Sequence, residues 1–350
     1  MDWPRVTGLK QKLRIREAAI AKCMNSIAAV IGRSMKIDVV PRKWSAKFCN
    51  TPVKFDRCDR KPGVVLMNAV NVDSPEKTQT WPDIYATGED KDGQTLGNAM
   101  EELAQGARLI FGTQPDRIAV VGFIIHQDNL VFVIFNRSGV FMSDPFDVDK
   151  NPERLIRVVG GMIFATREQI GFDPTIKITP YNETAPFIPY VEVNGNKYEI
   201  VQLLHVECVI RGRATVCFRV KKKVDKNVVS AGRDKHFVVK TGWVNHSQKL
   251  KEPDILKTLN ERGVKGIPTV YESQIFGETT WGTFMEMTKF MTEIEQRDLG
   301  IGLEDRQQVR VVTGPVGSSI LEFKSLKELV HGFLTIVESE SQELHFSTNF

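Results

Sequence analysis

Across residues 6–34 apolar side chains recur every three or four positions among Lys, Arg and Ala, the period of a helix with one buried face. The chain then becomes irregular, basic and proline-punctuated. Its next ordered signal is the apolar run Val64-Val65-Leu66-Met67, a buried-type strand after the turn residues Pro62-Gly63. Residues 83–88 read as a second strand, joined to the first by a long loop. Residues 97–111 carry Met100, Leu103, Ala104, Ala107, Leu109 and Ile110 at the spacing of a helix packed on a sheet. Residues 118–125, 130–136 and 140–143 alternate with the polar turns Gln127-Asp128-Asn129 and Arg137-Ser138-Gly139, the pattern of an antiparallel meander. Helical spacing returns over 152–171.

The stretch from Phe172 to Pro189 is rich in Pro, Thr and Asn and breaks both periods, so a domain boundary is expected there. Beyond it the pattern is mostly strand. Residues 190–193 and 197–204 flank Asn194-Gly195, a pair that supplies the positive φ angles of a type I′ hairpin turn. Further strands are expected at 206–210, 215–220, 236–240, 267–271 and 307–313. Helices are expected at 253–262, where Pro253 suits the first turn, at 281–295 and from Ser325 to about Leu344. The fold class is therefore mixed, α/β and α+β, in two parts: an N-terminal α/β domain over 1–178, a linker over 179–189, and a second domain over 190–350.

Composition narrows the function classes. A chain of 350 residues exceeds one comfortable core, which agrees with two domains. The 47 basic and 43 acidic residues leave a net charge of +4, too small to argue for a nucleic-acid or membrane partner. Lys221-Lys222-Lys223 and Lys226 read as a solvated hairpin. Cys23, Cys49, Cys58, Cys208 and Cys217 include no CxxC pair and no His at ligand spacing, so no metal is expected. Free thiols and the lack of a signal-like start fit an intracellular location, cytoplasmic or nuclear.

The candidate chemistry lies in the second part. Arg211-Gly212-Arg213-Ala214-Thr215 reads as a small-residue hairpin whose backbone N–H groups can approach phosphate. In Phe237-Val238-Val239-Lys240 a Lys ends an apolar strand, and twelve positions on Glu252 stands at the mouth of a helix, able to hold that Lys toward a nucleotide's phosphates. Gly212-Arg213-Ala214-Thr215, Val239-Lys240-Thr241-Gly242-Trp243 and Gly263-Val264-Lys265-Gly266-Ile267-Pro268 resemble the GRGT loop, VxK-x-x-W strand and GVxGVP turn of the fungal-type protein kinases. Val312-Thr313-Gly314-Pro315-Val316-Gly317 and the segment to Leu329 resemble that family's hinge and the large-lobe helices after it. Upstream, residues 109–117, Asn136-Arg137-Ser138-Gly139 and residues 170–175 resemble its N-terminal region.

The resemblance implies a kinase small lobe, hinge and first large-lobe helices, with ATP-dependent Ser/Thr phosphorylation as the nominal activity and magnesium as its cofactor. It implies that Gly212, Arg213, Ala214 and Thr215 cover the phosphates and that Lys240 pairs with the α- and β-phosphates. Glu252 would be the salt-bridge partner, and the edge from Val311 through Thr313 to Pro315 would receive adenine. Ala214 stands where the family has its second loop glycine. No His-Arg-Asp or Asp-Phe-Gly string occurs in the sequence, so the catalytic-loop Asp and the metal-holding Asp are absent. The expectation is a truncated, pseudokinase-like chain in which ATP and magnesium binding is weak or lost. An alternative is a non-catalytic interaction or regulatory module that binds a protein substrate or a full-length relative. In the N-terminal part, Asp59, Gly63, Asp83, Glu89 and Lys91 resemble a degenerate PD-(D/E)xK core of the restriction-endonuclease type. That resemblance implies a third reading, magnesium-dependent cleavage through Glu89 and Lys91, with Gly63 replacing an acid.

Overall fold

The protein, seen in a computed structural model, is described for residues 10–53, 59–74, 78–90, 95–178, 187–222, 235–291, 304–318 and 322–347. In chain order the elements begin with α1 (Lys10–Ser34), β1 (Arg42–Ser45), β2 (Val64–Asn68), α2 (Ala69–Asp73), β3 (Ile84–Asp90) and α3 (Leu96–Thr113). They continue with β4 (Ala119–His126), β5 (Asn129–Asn136), β6 (Gly139–Met142), β7 (Phe146–Asp147), α4 (Pro152–Phe164), β8 (Ile176–Lys177), β9 (Tyr190–Val193) and β10 (Asn196–Val206). The remainder are β11 (Val216–Lys222), β12 (His236–Asn245), α5 (Glu252–Glu261), β13 (Thr269–Thr279), α6 (Thr280–Met291), β14 (Arg306–Gly314) and α7 (Leu326–Ser347). The chain divides into two compact units, neither of them continuous in sequence. The first is Met1–Pro174 with Glu207–Ala214 and Thr280–Asp305; the second is Thr175–Val206, Thr215–Thr279 and Arg306–Phe350.

The first unit is a sheet in the order β1-β2-β3-β4-β5-β6, with β7 also on β5. Its β3–β4 pair is parallel, crossed over by α3, and its other pairs are antiparallel. Both sheet faces are covered, which explains why β4 and β5 are almost continuously apolar rather than alternating. Ile20, Met24, Trp44, Phe123, Phe132 and Met162 belong to one apolar cluster. Leu103, Ile110, Phe111, Trp81, Ile124 and Phe135 belong to the other.

The strings at 109–117 and 170–175 form one structural knot. Gly171 (φ +96°) accepts from the Ile118 and Ala119 amides, and a Cβ there would lie 2.3 Å from the Ala119 carbonyl oxygen. The buried Arg117 guanidinium donates to the Ile170 carbonyl at 2.7 Å and to the Tyr85 carbonyl, and it lies 4.1 Å from the Phe172 ring centroid. Burial pushes Arg117 down to about 9, opposed first by Asp116. Burial likewise pushes the Asp116 carboxyl up, against the pull of Arg167 and Arg117.

The second unit is a seven-stranded antiparallel sheet in the order β13-β14-β12-β11-β10-β9-β8. Val191, Val193, Tyr198, Phe218, Val220, Val239 and Val312 form its core. Asn194 (φ +46°) and Gly195 (φ +80°) make the β9–β10 turn in the left-handed region, as their pairing predicts. On α7, Leu326, Val330, Phe333 and Val337 are each more than half exposed. Among the described residues no helix is long and apolar enough to cross a membrane.

Several expectations change. The helix expected over 152–171 ends at Phe164, because the Arg42 guanidinium takes the Met162, Ile163 and Ala165 carbonyls at 3.3, 3.0 and 2.7 Å and caps it. The long loop after β2 contains α2, and the irregular basic stretch contains β1, whose Trp44 is buried. No strand forms over 206–210: β10 ends at Val206, and the residues after it belong to the first unit. The expected linker falls largely on residues 179–186, outside the described residues, as do Cys58, Lys223 and Lys226.

Gly88 on β3 is the tightest point in the first sheet, since a Cβ there would meet the Phe123 ring at 2.2 Å. Phe123 is wedged edge-on against Trp44, with centroids 5.0 Å apart. Gly88→Ala should therefore lower unfolding stability by about 1–3 kcal/mol through overpacking. Denaturant unfolding would check this, and an unchanged midpoint would contradict the packing account.

Candidate functional site

β12 alternates buried and half-buried positions along its length. Phe237, Val239, Thr241 and Trp243 are buried, which leaves Lys240 on the opposite face. Lys240 is not at the strand end, as its sequence setting suggested, but mid-strand, since β12 continues to Asn245. Its cross-strand neighbours are Cys217 on β11 and Val311 on β14. Burial pushes the Cys217 thiol up, Lys240 opposes this, and Glu252 adds to it.

Glu252 is the first residue of α5, with Lys251 at the N-cap and Pro253 in the first turn. An acidic residue at a helix start is favoured by the backbone N–H groups exposed there. From this position its carboxylate accepts from Lys240 Nζ through both oxygens, at 2.6 and 2.9 Å. The two side chains are 32% and 34% exposed, so the pair adds little to stability and acts chiefly to orient the ammonium group. Twelve residues of separation thus close into one contact because the strand and the helix are independently well specified.

What fixes β12 at this point is Arg310, a residue the sequence reading passed over. It is fully buried and lies directly across from Thr241 in the β12–β14 pairing. Its Nε donates to Thr241 Oγ1 at 2.9 Å, and its Nη1 donates to Thr175 Oγ1 at 2.8 Å and to the Glu192 carbonyl at 2.6 Å. The guanidinium also lies 4.8 Å from the Phe276 ring centroid. In sequence, Arg310 is one more basic residue in a chain of 47, with nothing to mark it as buried.

The remaining candidates are placed as follows. Val311 and Thr313 are buried inside the sheet, with β12 on one side and β13 on the other. Their flanks are occupied by strand pairing, and Gly314 is paired with Thr269 on the β13 side. Gly212, Arg213 and Ala214 belong to the first unit and Thr215 to the second, within the nine-residue connection from β10 to β11. Gly212 (φ +129°) has nothing within 4 Å of where a Cβ would stand, whereas Ala214 is buried with φ +45°, a left-handed conformation unusual for a residue with a Cβ.

In the first unit, Glu89 is buried and accepts from the Gly63 amide at 3.3 Å. A Cβ on Gly63 would lie 2.9 Å from the Gly88 carbonyl oxygen and 3.3 Å from carboxylate oxygens of Glu17 and Glu89. An acid at position 63 would therefore bring a third carboxylate into a space already closed, which accounts for glycine there. Asp83 caps a turn by accepting from the Thr80 amide at 2.9 Å and from Asn71 Nδ2 at 3.1 Å. Asp59 is exposed, and Lys91 lies outside the described residues. A cavity of about 470 Å³ beside Glu89 is lined by Arg60, Lys61, Glu101 and Glu102 among others. Among the described residues no group of three or more His, Cys, Asp or Glu is arranged to hold a metal ion.

Removing the Arg310 head while keeping its length tests the brace behind Lys240. Arg310→Met should destabilise the chain by about 2–4 kcal/mol, because it strands buried hydroxyl and carbonyl acceptors. Thermal unfolding that matched the parent would show that these bonds do not hold the second sheet together.

A search of curated proteins and a search of solved structures each find no match. The family whose description is fungal protein kinase matches over residues 61–349, which spans most of both units and includes Gly212, Lys240, Glu252 and the end of β14. A match over that share of the chain shows descent rather than a shared local motif, and the chain belongs to the fungal protein kinase family.

Proposed function

We propose that this chain supplies the nucleotide-binding small lobe of a fungal-type kinase, with Lys240 as the phosphate contact. The observation that carries the reading is the two-oxygen Lys240–Glu252 bond, which joins a mid-strand ammonium to a helix carboxylate. In protein kinases a strand lysine held by a helix glutamate pairs with the α- and β-phosphates of ATP. Here the half-exposed ammonium keeps a face for an anion while the glutamate fixes its direction. The end of β14 at Gly314–Pro315 is the edge proposed to receive the base.

Phosphoryl transfer is not assigned to these residues. It needs carboxylates that hold magnesium and position the acceptor hydroxyl, and the sequence contains neither the His-Arg-Asp nor the Asp-Phe-Gly string that would provide them. Among the described residues no group of three or more His, Cys, Asp or Glu is placed to hold a metal ion, and no role is proposed through magnesium. Binding of ATP is the activity proposed for these residues.

Titration with a fluorescent ATP analogue tests this. The parent chain should bind it, Lys240→Ala should weaken binding by about tenfold or more, equivalent to ~1.4 kcal/mol, and Glu252→Gln should weaken it less. Binding that is indifferent to Lys240→Ala would refute the assignment.

A further inference from the structure

Helices α1 and α4 both pack into the apolar cluster that contains Trp44 and Phe123, and two glycines let them meet. A Cβ on Gly160 would fall 3.2 Å from Ile31 Cδ1, and one on Gly32 would fall 3.6 Å from the Phe164 ring. This close approach lies toward the C-terminal end of each helix. Earlier along both, the two helices and the β7–α4 connection enclose a cavity of about 400 Å³ that belongs wholly to the first unit. Ile27, Val148 and Leu155 are buried at its floor, and Val30, Pro152 and Ile156 stand exposed around its mouth. Val30 and Ile156 are 50% and 47% exposed, apolar surface whose removal from water a bound apolar group would make favourable. Close-packed interiors hold few voids larger than a water molecule, whereas this volume and lining are those of a small-molecule site.

The charge at the mouth narrows the ligand. Among the described residues that line the cavity, Asp149 alone is charged. Beside it Lys150 Nζ is held by Asp147 at 2.9 Å, and Asp128 and Asp149 act on the same ammonium group. Three carboxylates thus share one cation, and Glu153 adds another in the first turn of α4. The basic residues of α4 are engaged elsewhere: the Arg154 guanidinium lies 4.5 Å from the Phe146 ring centroid, and Arg157 donates to the Lys289 carbonyl at 3.1 Å. The wall on α1 carries the Cys23 thiol, which burial pushes up and so keeps neutral.

We propose that the cavity between α1 and α4 binds a small aliphatic amine, with the apolar chain between the helices and the ammonium group beside Asp149. The apolar lining takes the chain, and the one charged group at the mouth fixes its orientation, the division of labour of an ordinary small-molecule site. A fatty-acid carboxylate would meet like charge at the same place. The site is separate from the nucleotide-binding reading, which concerns Lys240 in the second unit, and neither depends on the other.

Alkylation of Cys23 by N-ethylmaleimide in the full chain, read by peptide mass spectrometry, reports occupancy because the thiol lines the cavity. The probes are octylamine, octanol and octanoate, each below its micelle-forming concentration. Octylamine should slow alkylation of Cys23 in a saturable way and leave unchanged that of Cys49, another half-buried thiol of the same unit. Octanol should bind more weakly by roughly two- to fivefold, the range of an exposed ion pair, and octanoate more weakly still. Asp149→Asn should bring octylamine down to the level of octanol. Val30→Trp, at an exposed position, should abolish protection by placing a ring across the mouth, and Ile156→Trp on α4 repeats that test from the other side. Protection by none of the three probes, or protection that survives both Trp variants, overturns the site. Octanol or octanoate protecting as well as octylamine, or octylamine indifferent to Asp149→Asn, overturns the amine assignment. Faster alkylation of Cys23 and Cys49 together would show that the amphiphile unfolds the chain instead of binding it, and would overturn the proposal as well.

Discussion

Arg310 has no access to solvent, and its guanidinium is met by two threonine hydroxyls and a main-chain carbonyl supplied by three separate stretches of the second unit. A charge in that position is tolerable only while those acceptors stay in place. One of them, Thr241, is the neighbour of Lys240 on the same strand. Because successive strand residues face opposite ways, a threonine held inward toward Arg310 turns the preceding lysine to the other face, where Glu252 waits at the start of α5. The register of β12 against β14, from Val238–Thr313 to Asn245–Arg306, is continuous through this point. A slip of one residue would exchange the two faces and dismantle the brace and the candidate site together.

Much of this arrangement is legible in the sequence, and the exceptions share a cause. The Asn194-Gly195 turn, the helix opened by Pro253 and the apolar strands carry their own local signals, and the structure has them where those signals lie. The pairing of Lys240 with Glu252 was readable once the strand and helix were placed. By contrast Arg42, Arg117, Arg137 and Arg310 are buried cations that look, in sequence, like surface residues. Arg42, Arg117 and Arg137 donate to main-chain carbonyls distant in sequence, and Arg310 to one such carbonyl and two threonine hydroxyls, partners that leave little residue-type signature. The strand expected over 206–210 failed for the same reason. Its apolar residues are real, but Ile210 is satisfied by packing in the first unit and Val209 by Arg137, not by a sheet ladder.

Family membership gives these observations a common frame. The matched region begins at Lys61, well inside the first unit. The strings near residues 116, 137 and 172 contribute to the buried Arg117 and Arg137 networks, and Arg137 leads directly to the 207–214 connection.

The central claim is that Lys240 is a nucleotide-facing ammonium, and chemical labelling addresses it most directly. An ATP acyl-phosphate, which acylates lysines placed beside bound phosphate, would be reacted with the intact chain and the modified peptides identified by mass spectrometry. The account predicts acylation concentrated at Lys240 and suppressed by excess ATP. Labelling of Lys240 no greater than that of the exposed Lys249, and insensitive to ATP, would contradict it.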